Sequence, residues 1–236
     1  MQASEHDADP TGHARRPEGA PEADGARIAS QEALGGPELA LLLALAGGDR
    51  AAAVASALGL AELRSDASAM RAAASSLAAR GLLALREDEA LAPRGAALGI
   101  CALAGAADRV HGMALLRDEE PVATLTIAVA PAGSVAVRPG PIGSARVALM
   151  DPSSRPSALL MEALEVHLGA EDASAAIETR SLGEEDAEPS LLAVRLLEGQ
   201  GDGAVFELAT QGPGEEPSTA RASLEELERR IGELAG

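Results

Sequence analysis

The chain has no lysine, tryptophan, tyrosine or asparagine, one cysteine and one phenylalanine. These shortages exclude several kinds of chemistry. With Cys101 alone, neither an intrachain disulfide nor a multi-cysteine metal centre can form. With Phe206 as the sole aromatic residue, the core has to be built from Leu, Ile, Val and Met with close backbone approach, and absorbance at 280 nm is nearly nil. No positively charged segment followed by an apolar stretch opens the chain, and no uninterrupted apolar run reaches membrane-spanning length. A cytoplasmic protein without membrane contact is the expectation.

What is present is acidic and rich in alanine. Arginine supplies all 19 positive charges against 37 Asp and Glu, so the net charge is −18. The Ala, Arg and Gly excess matches the coding bias of a GC-rich bacterium. An acidic field keeps a protein soluble and repels a phosphate backbone, which argues against nucleic acid as the partner.

Patterning divides the 236 residues into three parts. Residues 1–30 are polar, rich in Pro, Gly and acids, and show no helical or strand period, so they are expected to form a disordered tail. His6 and His13 within it read as tail residues rather than metal ligands. Residues 31–110 are expected to fold as a winged-helix-like module. Its first helix starts at Pro37 and stops at Gly47 and Gly48, a second is capped by Asp49, and a third starts near Ser65 or Asp66 and ends at Gly81. A hairpin around residues 86–89 follows, and a helix from Pro93 leads to the next part. Residues 111–236 change period to short strands, with one helix opened by Pro156 and a last one launched by Ser223 and Glu226. The fold class expected is α+β, a mainly antiparallel sheet with covering helices.

In the winged reading, residues 66–80 form the recognition helix. Arg64, Arg71, Arg80, Arg86 and Arg94 are then the candidate DNA contacts, since arginine suits both phosphate and guanine. Yet the hairpin tip is Glu87, Asp88 and Glu89, and residues 31–110 hold nine acids against seven Arg. A protein-binding or dimerising use of the module fits that balance better. Residues 111–236 hold 22 acids and nine Arg, and the cluster Glu184, Glu185, Asp186 and Glu188 reads as a solvated loop without calcium-loop spacing.

Catalytic chemistry is sparse. His167 precedes the helix stop at Gly169 and reads as a partner for terminal carbonyls. His111 and Glu119 are the least poor general-base candidates, but their spacing carries no geometry. Glu162 and Glu165 share a helix face without a pocket, and "RPGPIGSAR" at 138–146 reads as a turn rather than a phosphate cradle. Cys101 reads as a buried thiol. The chain is therefore expected to be no enzyme and to need no cofactor or metal.

The order of elements carries a resemblance. "SSLAARGLLALREDEALAPRGAALGICALAGAADRVHGMALL", a following sheet and the ending "STARASLEELERRIGELAG" together resemble the EspG-like secretion-associated chaperones of actinobacterial type VII systems. That resemblance implies a mixed α/β fold that binds helical secretion substrates. The stretch "LAARGLL...LAPRG" equally resembles the third helix and wing of winged-helix transcription regulators. The leading expectation is a non-catalytic protein-binding adaptor or secretion chaperone. The alternative is a DNA-binding regulator whose C-terminal part dimerises or senses a ligand.

Overall fold

Glycine, proline and one aspartate cut the N-terminal third into short helices. A computed structural model describes residues 28–170, 172–183, 187–199 and 201–235. Strand β1 (Ile28–Gly35) leads into helix α1 (Gly36–Ala46), which has Pro37 in its first turn. Gly47 and Gly48, both at positive φ, separate α1 from α2 (Gly48–Ala57). After a 3-10 turn at Glu62–Ser65, the Asp66 carboxylate accepts from the N–H groups of Ser68 and Ala69 at 2.9 and 3.1 Å and starts α3 (Ala67–Ala79). The expected hairpin follows as β2 (Leu83–Leu85) and β3 (Leu91–Pro93), then α4 (Ala96–Ala106).

From here strands dominate. They are β4 (Arg109–Arg117), β5 (Glu120–Ala130), β6 (Gly133–Pro139) and β7 (Ser144–Met150), followed by α5 (Pro156–Leu168). Then come β8 (Ala173–Ser181), β9 (Ser190–Glu198), β10 (Val205–Gln211), β11 (Ser218–Ser223) and α6 (Leu224–Ala235). Nine strands form one sheet in the order β1-β7-β6-β5-β4-β8-β9-β10-β11, and every neighbouring pair is antiparallel. Most connections are short hairpins, which antiparallel pairing permits. The β4–β5 turn places Asp118 and Glu119 both at positive φ, the geometry whose twist matches a two-residue hairpin. The fold class is α+β, a helical region followed by a large antiparallel sheet flanked by helices.

Strand alternation builds two cores on opposite faces of this sheet. On one face, α1 to α4 pack Leu39, Leu42, Leu43, Leu77 and Ile100 over Leu34, Val110, Val135, Val137 and Val147. On the other, α5 and α6 pack Leu160, Leu164, Leu227 and Ile231 over Met113, Ile127, Ile177, Val194, Phe206 and Leu208. The two helical layers are offset along the sheet. The first touches mainly β1, β5, β6 and β7, and the second β4, β8, β10 and β11.

Two strands were not anticipated. β1 begins at Ile28, inside the range read as tail, and joins the sheet by pairing with β7; residues 1–27, with His6 and His13, lie outside the described part. β11 lies just before the last helix, in a stretch the sequence pattern does not mark as a strand. Both are edge strands with a single buried residue each, Leu34 and Ala222, so neither shows the alternation that marks a half-buried strand.

Candidate interaction surface

The offset of the helical layers leaves part of the sheet uncovered on the side of α1 to α4. The register lines up Thr124, Ala114, Ala176, Ala193, Ala209 and Thr219 side by side across β5, β4, β8, β9, β10 and β11. At about 4.8 Å per strand this row spans roughly 24 Å. The neighbouring row runs Thr126, Gly112, Glu178, Leu191 and Gln211. On the other side lie Ser174, Arg195 and Glu207, the last two ion-paired at 2.7 Å. Leu191 and Leu197 are 40% and 37% exposed here. The end of α2, at Ala57 and Leu58, and Pro139 form a wall against this floor, enclosing a cleft of about 490 Å³ with Gly112, Ala114, Thr124, Ala176 and Ala193.

Small side chains make this floor shallow, so a partner element can approach the sheet closely. Ala also loses no side-chain rotamer entropy when covered. The central row is uncharged, while the rows beside it carry Glu178 and the Arg195–Glu207 ion pair. The sequence carried a signal for it: in β8 and β9 the residues alternating with the core set Ala175, Ile177, Leu192 and Val194 include Ala176 and Ala193, where a solvated strand would place charges.

The five candidate arginines are not gathered on one surface by any shared contact. Arg80, at the end of α3, donates to Glu38 at 3.1 Å and to Glu32 at 3.0 Å, which ties α3 to α1 and β1. Arg86 sits at the hairpin tip, 3.4 Å from Asp88. Arg94 stands at the hairpin base, where its backbone N–H donates to Leu82. Arg71 is exposed on α3, and Arg64 is half-buried in the 3-10 turn.

The base pair considered from the sequence does not assemble. His111 is fully buried in the middle of the sheet, with Nδ1 2.8 Å from Thr179 Oγ1 and no partner at Nε2 among the described residues. Burial, with the Arg109 charge beside it, lowers its pKa to about 4, so the ring is neutral near pH 7. Glu119 is exposed in the turn at the far end of β4. His167 is structural, but in a different way from the one expected: Nε2 donates to the carbonyls of Leu116 at 2.8 Å and Ser174 at 3.1 Å, clamping α5 onto β4 and β8. Cys101 donates to the Leu42 carbonyl at 3.2 Å, and burial pushes its thiol up to about 11.

Glu162 and Glu165 are exposed on α5, and the 138–146 segment runs from the end of β6 through a 3-10 turn at Pro141–Gly143 into β7. Of the acidic cluster, Glu184, Glu185 and Asp186 lie outside the described residues, while Glu188 accepts from the Gly214 N–H at 2.6 Å. Among the described residues no group of three His, Cys, Asp or Glu is placed to hold a metal, and no helix is long and apolar enough to cross a membrane.

No family model matches the chain, and no curated protein matches it in sequence. A solved structure does match: the EspG5 chaperone of the Mycobacterium tuberculosis type VII secretion system, determined in complex with a PE25–PPE41 dimer. The two chains are 13% identical, the match covers 87% of this chain and 95% of the other, and the TM-score is 0.54. The likeness is one of fold. It extends over most of both chains.

Proposed function

We propose that this chain is a non-catalytic adaptor of the secretion-chaperone kind, which holds a helical protein partner against the uncovered half of its sheet. The observation that carries the reading is the row of small residues centred on Ala114, Ala176 and Ala193, lying open beside α2. The uncovered part of this antiparallel sheet, floored by small residues, leaves room for a partner helix to approach the backbone closely. The fold likeness adds support, because EspG5 was solved as a chaperone bound to a protein dimer. The groups with catalytic potential point the same way: His111 and His167 are buried in contacts within the fold, and Glu119, Glu162 and Glu165 are exposed.

Copurification from the native host followed by mass spectrometry identifies the partner, and a variant then locates it. Ala193→Arg places a long charged side chain in the middle of the floor while leaving both cores intact. The expected result is at least about tenfold weaker binding of the identified partner with unchanged far-UV circular dichroism. The reading fails if the wild type binds no protein specifically or if Ala193→Arg binds as well as the wild type. Salt-sensitive binding to its own promoter, weakened by Arg71→Ala, would establish the DNA-reading alternative instead.

A further inference from the structure

A second cleft, on the opposite face of the sheet, is polar where the strand pattern would place a core. Along β4, β8, β9 and β10, the positions facing α5 and α6 are Met113, Ile177, Val194 and Leu208 in the middle of the sheet. Towards the end of α6 the same faces carry Arg109, Thr179, Ser181, Ser190 and Thr210. The register makes them neighbours: Arg109 lies opposite Ser181, and Thr179 opposite Ser190. With the last turns of α6 and the loop after β10 they enclose about 490 Å³, a volume suited to a small molecule.

Most polar groups lining this cleft already have partners. Thr179 is held by His111, and the Thr210 hydroxyl lies 2.9 Å from that of Ser218. Arg230 donates to Glu226 at 3.1 Å, Glu233 is held by Arg229, and Glu188 by the Gly214 N–H. Five groups stay uncommitted to any side-chain partner among the described residues: the half-buried Arg109 guanidinium, the hydroxyls of Ser181 and Ser190, the Gln211 amide, and the Glu215 carboxylate at the exposed rim. A half-buried cation, hydroxyls and a rim anion in one cleft match a ligand carrying both charges. A simple anion would meet Glu215, and a simple cation would meet Arg109.

We infer that this cleft binds a small zwitterion of the amino-acid class, with its carboxylate on Arg109 and the Ser181 and Ser190 hydroxyls and its ammonium toward Glu215. Arginine's planar fork suits a carboxylate, and charge-assisted hydrogen bonds of this kind are strong in a partly closed site. The two clefts share Leu191 and Leu192 in their linings, but Arg109, Ser181 and Ser190 line only this one and Ala114 and Ala176 only the other, so variants at those residues let either reading fail alone.

The test is saturation-transfer NMR and titration calorimetry on the full chain with L-glutamine, acetate and methylamine as probes. Glutamine should bind saturably in the millimolar range or tighter, and Arg109→Gln should weaken it by at least about tenfold. Glu215→Gln should weaken glutamine while leaving acetate unchanged. Because Arg109 neighbours His111, Ser190→Val provides a second variant that fills the cleft, checked for folding by circular dichroism. The inference is overturned if glutamine gives no saturable signal, if neither Arg109→Gln nor Ser190→Val weakens it, or if acetate binds as tightly as glutamine.

Discussion

Single residues in the interior show how this chain accommodates polar groups in a core almost devoid of aromatics. His111 is the sharpest case, being fully buried with one ring nitrogen unpartnered among the described residues. Its pKa falls from 6.5 to about 4 through burial first and Arg109 second. In the unfolded chain the ring protonates near its ordinary value, so between about pH 6.5 and about pH 4 the unfolded state binds more protons. The stability contributed by a neutral His111 is therefore complete above that window and is lost as pH falls through it, by roughly 3 kcal/mol. Urea unfolding followed by circular dichroism across this window should show the loss, and His111→Leu should remove that part of the pH dependence. An equal slope in both proteins would show that other groups carry it. The importance of a histidine was legible at this position, but its role was not, because Thr179 lies 68 residues away and only the β4–β8 register brings the two together.

Among elements, the joint between β1, α1 and α3 rests on Glu38. Its carboxylate accepts from the Gly35 N–H at 2.7 Å, the Ser76 hydroxyl at 2.7 Å and Arg80 at 3.1 Å, and the residue is buried. Glu38→Ala leaves these donors without an acceptor and should cost about 2 to 3 kcal/mol. Arg80→Ala removes two partly exposed ion pairs and leaves Glu38 its Gly35 and Ser76 donors, so it should cost about 1 kcal/mol or less. Denaturant midpoints of the two variants give the comparison, and equal losses would show that the arginine carries the joint. Arg80 thus serves an intramolecular joint in the folded chain, a role that a count of arginines along a helix does not reveal. At the other end, α6 was legible from its period: Leu227 and Ile231 are buried against the sheet, while Glu225 and Glu228 face solvent. Ser223 Oγ accepts from the Glu226 N–H at 3.3 Å, as the capping pattern requires, while the Glu226 carboxylate is engaged by Arg229 and Arg230. Ile231→Asp should cost roughly 2 to 5 kcal/mol, against under about 0.5 kcal/mol for Glu228→Gln. Near-zero effects for both would detach α6 from the core.

At the scale of the whole molecule, two helical layers sit on opposite faces of one sheet, and their offset creates the open surface assigned to a partner. The net charge of −18 acts against this compact arrangement through self-repulsion, which salt screens. Raising sodium chloride from low to physiological concentration should therefore raise the melting temperature, and a salt-independent melting temperature would show that the acids are too dispersed to matter. The sequence by itself determined the helices and most strands, because glycine and proline stops, an aspartate cap and runs of period 3.6 or 2 are local signals. It also determined the α+β class and the acidic surface, which depend on composition and element order. Only the tertiary structure decided that residues 28–35 complete the sheet and that Arg80 is held by Glu38 and Glu32. It alone brought Ala114, Ala176 and Ala193 into one row and placed an uncommitted Arg109 among hydroxyls. These outcomes depend on strand register and on which face each helix covers, and pairings between residues tens of positions apart leave no periodic trace in the chain.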